Sequence, residues 1–240
     1  MASIGIEVRE LTFSYNETPV FSNVSFSIPE YEVWALMGRS GIGKTTLLNI
    51  ILGLFTPAAG HVSTAAGIVD GPGKIRGAVF QDESLLPWLT VLENVLFPET
   101  RKADAKRIEF ARNFLSLAGL EDVENAFPKQ LSAGMRKRVE LLRALMIDRN
   151  FFVADEPFGG LDVQTRMELY VAWRKLRKLN PRTGLICTHD PLEAAALCDS
   201  VLVLKDTLGD GPVVQITKVP QEVQRAENVV EAVFSDAFLA

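Results

Sequence analysis

Gly38-Arg39-Ser40-Gly41-Ile42-Gly43-Lys44-Thr45 is the stretch on which the reading of this chain turns. It follows the apolar run Val33-Trp34-Ala35-Leu36-Met37 and leads into a helical segment, Lys44 to about Leu54. It matches G-x-x-x-x-G-K-[ST], the phosphate loop. Glycines let successive backbone N–H groups turn inward around phosphate oxygens, and the helix start adds the positive end of its dipole. Lys44 is placed to reach the β and γ phosphates and Thr45 to ligate Mg²⁺. A chance glycine-rich turn lacks the context that the motif requires, and here the strand before and the helix after are both present. The stretch implies ATP or GTP.

Outward from the loop, the first thirty residues read as β. Ile6 to Tyr15 and Pro19 to Ile28 alternate loosely around the turn Asn16-Glu17-Thr18. Short strands fit around Gly60 to Val69 and Gly77 to Phe80. From Asp82 to about Ile147 the pattern turns helical. Ala103 to Leu117 has helical spacing with Gly119 as its C-cap, and Ser132 caps a helix running to about Ile147. Strand signals return at Phe151 to Ala154, Gly184 to Thr188 and Val201 to Leu204, with Asp162 capping a helix from Val163 to Leu179. Alternating strands and helices predict an α/β fold with a largely parallel sheet and ligands at the carboxyl ends of its strands.

The apolar run Phe151-Phe152-Val153-Ala154 ends in Asp155-Glu156. Alone, such a pair is often a solvated turn. Beside a phosphate loop it reads as the other half of a hydrolytic site, with Asp155 holding Mg²⁺ through its water shell and Glu156 polarising the attacking water.

The bulk numbers bound the alternatives. The 240 residues, 48% hydrophobic and 23% charged, suffice for one large α/β domain or two small ones, with a sizeable core. A net charge of −5 argues against a broad nucleic-acid surface. No apolar run approaches the ~20 residues that span a bilayer, and the N-terminus lacks a signal-peptide pattern. The expected location is the cytoplasm. Cys187 and Cys198 read as core residues.

With these motifs in order, the chain resembles the nucleotide-binding domain of ABC (ATP-binding cassette) transporters over about Ile6 to Val214. The resemblance implies a P-loop NTPase (RecA-like) core with a mainly parallel sheet, an antiparallel β subdomain and an inserted α-helical subdomain. Residues 1–81 and 148–218 would form the ATP-binding core with its β subdomain, 82–147 the helical signature subdomain and 219–240 a tail. The family's adenine-stacking aromatic falls on Tyr15, for which a strand core residue is the alternative reading. Gln81 matches the Q-loop, a Mg²⁺ contact and joint to the helical insertion. The signature, usually LSGGQ, is Leu131-Ser132-Ala133-Gly134-Met135 at a helix N-terminus. The D-loop is Gly159-Gly160-Leu161-Asp162 and the switch histidine is His189.

The resemblance thus places ATP against Tyr15, the loop from Gly38 to Thr46, Ser132, Ala133, Gly134, Met135 and Asp162, with catalysis by Lys44, Gln81, Glu156 and His189. Thr45, Gln81 and Asp155 would hold Mg²⁺. Its implied partners are a second copy in a head-to-tail ATP sandwich, an integral membrane permease and a substrate-binding protein, with no nucleic acid. The protein would sit peripherally on the inner face of the membrane. Three departures stand out: Ala133 replaces a signature glycine, Met135 its glutamine, and Gly159 removes a D-loop hydroxyl. The segments Gly71 to Gly73, Arg76 to Gln81, Leu85 to Val91 and Leu131 to Leu145 are similar to the nitrate, sulfonate and taurine importer branch. An exporter or cell-envelope ATPase, a soluble non-transport ATPase and a non-hydrolysing regulatory module are the alternatives. Leu85 to Trp88 is either core of the insertion or part of a groove for the membrane subunit. Most of Arg136, Lys137, Arg138 and Arg143 read as a solvated face, and His61 receives no role.

Overall fold

A computed structural model describes residues 3–73, 76–80, 84–97, 103–146, 151–207 and 211–218. Gln81 and the tail from Val219 lie outside the described residues.

The central strand is β3 (Val33–Gly38), which leads directly into α1 (Lys44–Ile51). It is buried on both faces, which is why it reads as an unbroken apolar run. Its side chains nevertheless alternate between two cores. Val33, Ala35 and Met37 face one, while Trp34 and Leu36 face the other. Around β3 lie β6 (Arg76–Val79), β7 (Phe151–Asp155), β8 (Thr183–Cys187), β9 (Ser200–Thr207) and β10 (Gly211–Lys218). The six strands order as β10-β9-β3-β8-β7-β6, parallel except for the β9–β10 edge. A separate four-stranded antiparallel sheet orders as β2-β1-β4-β5, from β1 (Ile4–Tyr15), β2 (Thr18–Pro29), β4 (Ala59–Thr64) and β5 (Gly67–Ile68). Its buried residues Ile6, Val8, Phe21 and Ile28 share a core with Leu47, Leu48, Ile50 and Ile51 of α1. Each such side chain contributes roughly 1.5–3 kcal/mol on burial.

The helices between β6 and β7 are α2 (Val91–Leu96), α3 (Ala105–Leu117) and α4 (Ala133–Met146); α5 (Val163–Leu179) and α6 (Pro191–Leu197) follow. The parallel core, antiparallel sheet and helical insertion agree with the expected fold. Several boundaries sharpen. α1 ends at Ile51, not Leu54, because Gly53 is left-handed at φ 76° and lets Leu54 N–H donate to the Asn49 carbonyl at 2.8 Å. Ser132 and Asp162 cap α4 and α5 as expected, their side chains accepting from Met135 N–H and Thr165 N–H at 3.2 and 3.0 Å. α6 and β10 have no counterpart in the sequence reading. α6 is short and nearly uniform in apolarity, so it has little periodicity, although Asp190-Pro191 is a helix-start signal.

The solvated-face reading of the cations on α4 is corrected. Arg143 is buried, and the Lys137 side chain is only 11% exposed. α4 packs among α2, α3 and β6, so these long stems end on protein acceptors rather than in water alone. Lys137 Nζ donates to the Phe80 carbonyl and pairs with Glu140, itself buried. Arg138 reaches the Ala118 carbonyl and Glu168, and Arg136 the Leu131 carbonyl. The Leu85 to Trp88 segment divides between its two readings. Leu85 packs against the core, while Trp88 is 69% exposed. Asn94 holds this turn through its side-chain amide: it accepts from Leu86 N–H and donates to the carbonyls of Leu86, Leu89 and Thr90. Cys187 and Cys198 are buried free thiols, as expected.

Candidate active site

The carboxyl ends of β3, β7 and β8 converge on one cavity. Its lining includes Ser40, Gly41, Gly43, Lys44, Thr45, Thr46, Asp155, Glu156 and Cys187. The phosphate loop turns tightly here. Gly43 has φ 105°, and a Cβ on it would lie 2.8 Å from Val20 and 2.9 Å from Phe21. Only glycine takes that conformation in that space. The Lys44 side chain curls over the loop, Nζ donating to the Gly38 and Arg39 carbonyls at 2.9 and 3.0 Å. A fixed cation and a helix N-terminus therefore face the same cavity.

Thr45 Oγ1 donates to Asp155 Oδ2 at 2.8 Å, across 110 residues of chain. These are two hard oxygen donors at the mouth of an anion cradle, a donor set that fits Mg²⁺ shared with phosphate oxygens. Glu156 follows at φ 44°, a left-handed conformation that costs a non-glycine residue about 1–3 kcal/mol. Its N–H donates to the Cys187 carbonyl at 2.9 Å, which fixes the kink. The kink delivers Glu156 Oε1 to 3.1 Å from His189 Nδ1. Nearby, burial and then the Asp155 carboxylate push the Cys187 thiol well up, so it stays a thiol.

Tyr15 is 48% exposed and so is not a strand core residue. Its hydroxyl is 3.0 Å from Thr46 Oγ1, which ties the aromatic ring to the helix of the phosphate loop. Phe13 and Phe55 hold the ring edge-on, with centroids at 5.1 and 5.9 Å. Phe13 and Phe55 were not singled out from the sequence; the alternation of β1 carried the only signal for Phe13.

The structure thus assembles Tyr15, the loop from Gly38 to Thr46, Asp155, Glu156 and His189. Ser132, Ala133, Gly134 and Met135 are not among the described lining residues of this cavity. They stand at the start of α4, where Ser132 and Ala133 are exposed. Gly134 lies close to α5, and a Cβ there would come within 2.8 Å of Thr165 Cγ2. Asp162 serves as the α5 cap, accepting from both Thr165 N–H and Thr165 Oγ1. Those hydrogen bonds hold its carboxyl below the usual range. The Gly159 departure is adjacent to the chemistry, since a Cβ there would be 3.3 Å from the Glu156 carbonyl.

Comparison with known proteins supports the same conclusion. The family model described as ABC transporter matches residues 21–159. An uncharacterized ABC transporter ATP-binding protein of Methanocaldococcus jannaschii is 41% identical, covering 95% of this chain and 87% of that one. The taurine import ATP-binding protein of Escherichia coli K12 is 36% identical, covering 92% and 86%. The bicarbonate transport ATP-binding protein of Synechocystis is 38% identical, covering 77% and 67%. Among solved structures, a dimeric ATP-binding cassette in a post-hydrolysis state with ADP and Pi superposes with TM-score 0.74 at 31% identity, covering 90% of this chain and 99% of that one. A protein from Clostridium perfringens, part of an ABC transporter complex, superposes with TM-score 0.79 at 26% identity, covering 96% and 94%. The chain belongs to the ABC transporter family, as one of its ATP-binding and ATP-hydrolysing subunits.

Proposed function

We propose that this chain powers an importer of small anions such as taurine, other sulfonates, nitrate or bicarbonate, seated against an integral membrane permease on the cytoplasmic side. The ATPase assignment is carried by one observation: the Thr45–Asp155 and Glu156–His189 contacts flank a single phosphate cradle. The anion class rests on likeness to the taurine and bicarbonate proteins. Among the described residues no helix is long and apolar enough to cross a membrane, so on this reading the transport path belongs to the partner.

The geometry supports the following residue roles. The loop N–H groups and Lys44 bind the phosphates, and the exposed face of Tyr15 receives adenine. Thr45 and Asp155, with Gln81, would hold Mg²⁺, which when bound neutralises phosphate charge. Glu156 orients the attacking water and accepts its proton, and His189 fixes Glu156 and stabilises charge on the transferring phosphoryl group. Ser132 to Met135 would act on ATP held by a second copy, since they are not among the described residues lining their own phosphate cavity. The superposed dimeric cassette supports that pairing. Residues 82–147 would be the helical subdomain that moves on closure, with residues 1–81 and 148–218 as the core. Exposed Trp88 and Pro87 would form part of the groove read by the permease. A substrate-binding protein would complete the importer.

The test is to purify the chain with its membrane partner and reconstitute the complex in liposomes. ATP turnover is then measured with binding protein and a panel of taurine, alkylsulfonate, nitrate and bicarbonate. Stimulation by one of these anions, with uptake into the compartment opposite the ATPase, supports the reading. Outward transport of an apolar solute contradicts it.

A further inference from the structure

Beside the Glu156–His189 pair lies a second cavity, whose wall includes Arg166, Thr188, Asp190 and Glu193. Glu193, in the first turn of α6, is 5% exposed. Its carboxyl accepts from the Thr188 hydroxyl, and its Oε1 has no hydrogen-bond partner. Thr188 Oγ1 in turn accepts from Asp190 N–H at 3.0 Å. The chain Glu193–Thr188–Asp190 therefore closes around His189, which sits between the last two. From the far side, Arg166 pairs with Asp190 at 3.0 Å and donates to the Leu161 carbonyl at 3.3 Å.

A buried carboxylate with an unpaired oxygen is costly, so this site favours the neutral acid. Burial first, then the Asp190 carboxylate, pushes Glu193 up to about 8. The groups around it leave it little compensation. Arg166 and Tyr170 face it from α5, Glu156 from the end of β7, His189 from the end of β8, and Asp190 and Cys198 from the two ends of α6. Arg166 is already committed to Asp190.

We propose that Glu193 is a positioning residue for ATP hydrolysis: its buried carboxyl holds the Thr188–Asp190 turn and thereby keeps His189 on Glu156. This rests on the placing of His189 and Glu156 in the hydrolytic site. Ionisation of Glu193 sets a further negative charge beside Asp190 and Glu156, and the turn loosens.

The experiment measures kcat and KM for ATP with the full chain at saturating Mg²⁺, across neutral to alkaline pH. The wild-type kcat falls above about pH 8. Glu193→Gln keeps an acceptor for Thr188 and cannot ionise, so it retains the neutral-pH kcat and loses the alkaline fall. Glu193→Ala removes the acceptor of the Thr188 hydroxyl and lowers kcat by roughly tenfold with KM unchanged. A wild-type profile without the fall, a fall that persists in Glu193→Gln, or a wild-type kcat in Glu193→Ala overturns the proposal. Should the alanine variant fail to fold, the glutamine profile decides. His189→Ala separates the two levels. Wild-type kcat in that variant removes the site reading itself, whereas loss of kcat there with an unchanged Glu193→Gln profile removes only the role of Glu193.

Discussion

Glu156 Oε1 and His189 Nδ1 stand 3.1 Å apart although 33 residues separate them. Neighbouring parallel strands bring them together, with Asp155 in register with Cys187 and the left-handed Glu156 backbone turning its side chain toward the histidine. Removing the imidazole by His189→Ala should lower kcat by about 10²–10⁴ and leave KM for ATP nearly unchanged, because the phosphate cradle is built from other residues. Steady-state ATP turnover measures this.

The Thr45–Asp155 bond predicts a metal phenotype. Asp155→Asn keeps the shape and a hydrogen-bonding oxygen but removes the charge. The Mg²⁺ concentration giving half-maximal turnover should rise by roughly 10–100-fold. A Mg²⁺ titration at fixed ATP checks it, with the melting temperature as the control for folding.

Glu140 predicts a stability phenotype. Its Oε1 accepts from Ser84 N–H and Oγ at 2.6 and 3.1 Å, and Arg143 donates to the Ser84 carbonyl and hydroxyl. Both charged residues are buried, and burial pushes the Arg143 guanidinium down. Glu140→Ala strands that buried cation and should cost about 3–5 kcal/mol in urea unfolding. Because Lys137 holds the Phe80 carbonyl and Glu140 holds Ser84, the same variant should loosen both residues from α4 and weaken any coupling between ATP binding and the helical insertion.

Glu193 predicts a pH dependence of stability. Its folded value of about 8 lies above the ordinary 4.5, so the folded state binds more protons between those pH values. Its contribution to stability therefore falls as pH rises through that window. Glu193→Gln should raise the melting temperature relative to wild type most strongly near pH 8 and least near pH 4.5. Thermal unfolding across that range measures it.

The legible parts were those with short-range signatures. The phosphate loop, the Asp155-Glu156 strand end and the caps Ser132 and Asp162 are local in sequence, and local chemistry determines them. What sequence could not show depends on neighbours distant in the chain. The cations of α4 look solvated by spacing alone, because nothing local reveals that Glu140, Ser84 and the Phe80 carbonyl surround them. Glu193 looks like any acidic residue in a helix's first turn, until α5 and the ends of β7 and β8 close over it. Tyr15 showed the opposite ambiguity: alternation made it a candidate for the core, and only packing on Phe13 and Phe55 shows its exposed face.

On the proposed mechanism Glu156 performs the hydrolytic step, on a cradle that binds ATP without it. The most direct measurement is single-turnover ATP hydrolysis by Glu156→Gln, with ATP binding followed in parallel. ATP affinity should stay close to wild type, dimers should persist with ATP bound, and turnover should fall by about 10²–10⁴. Near-normal turnover in Glu156→Gln would contradict it.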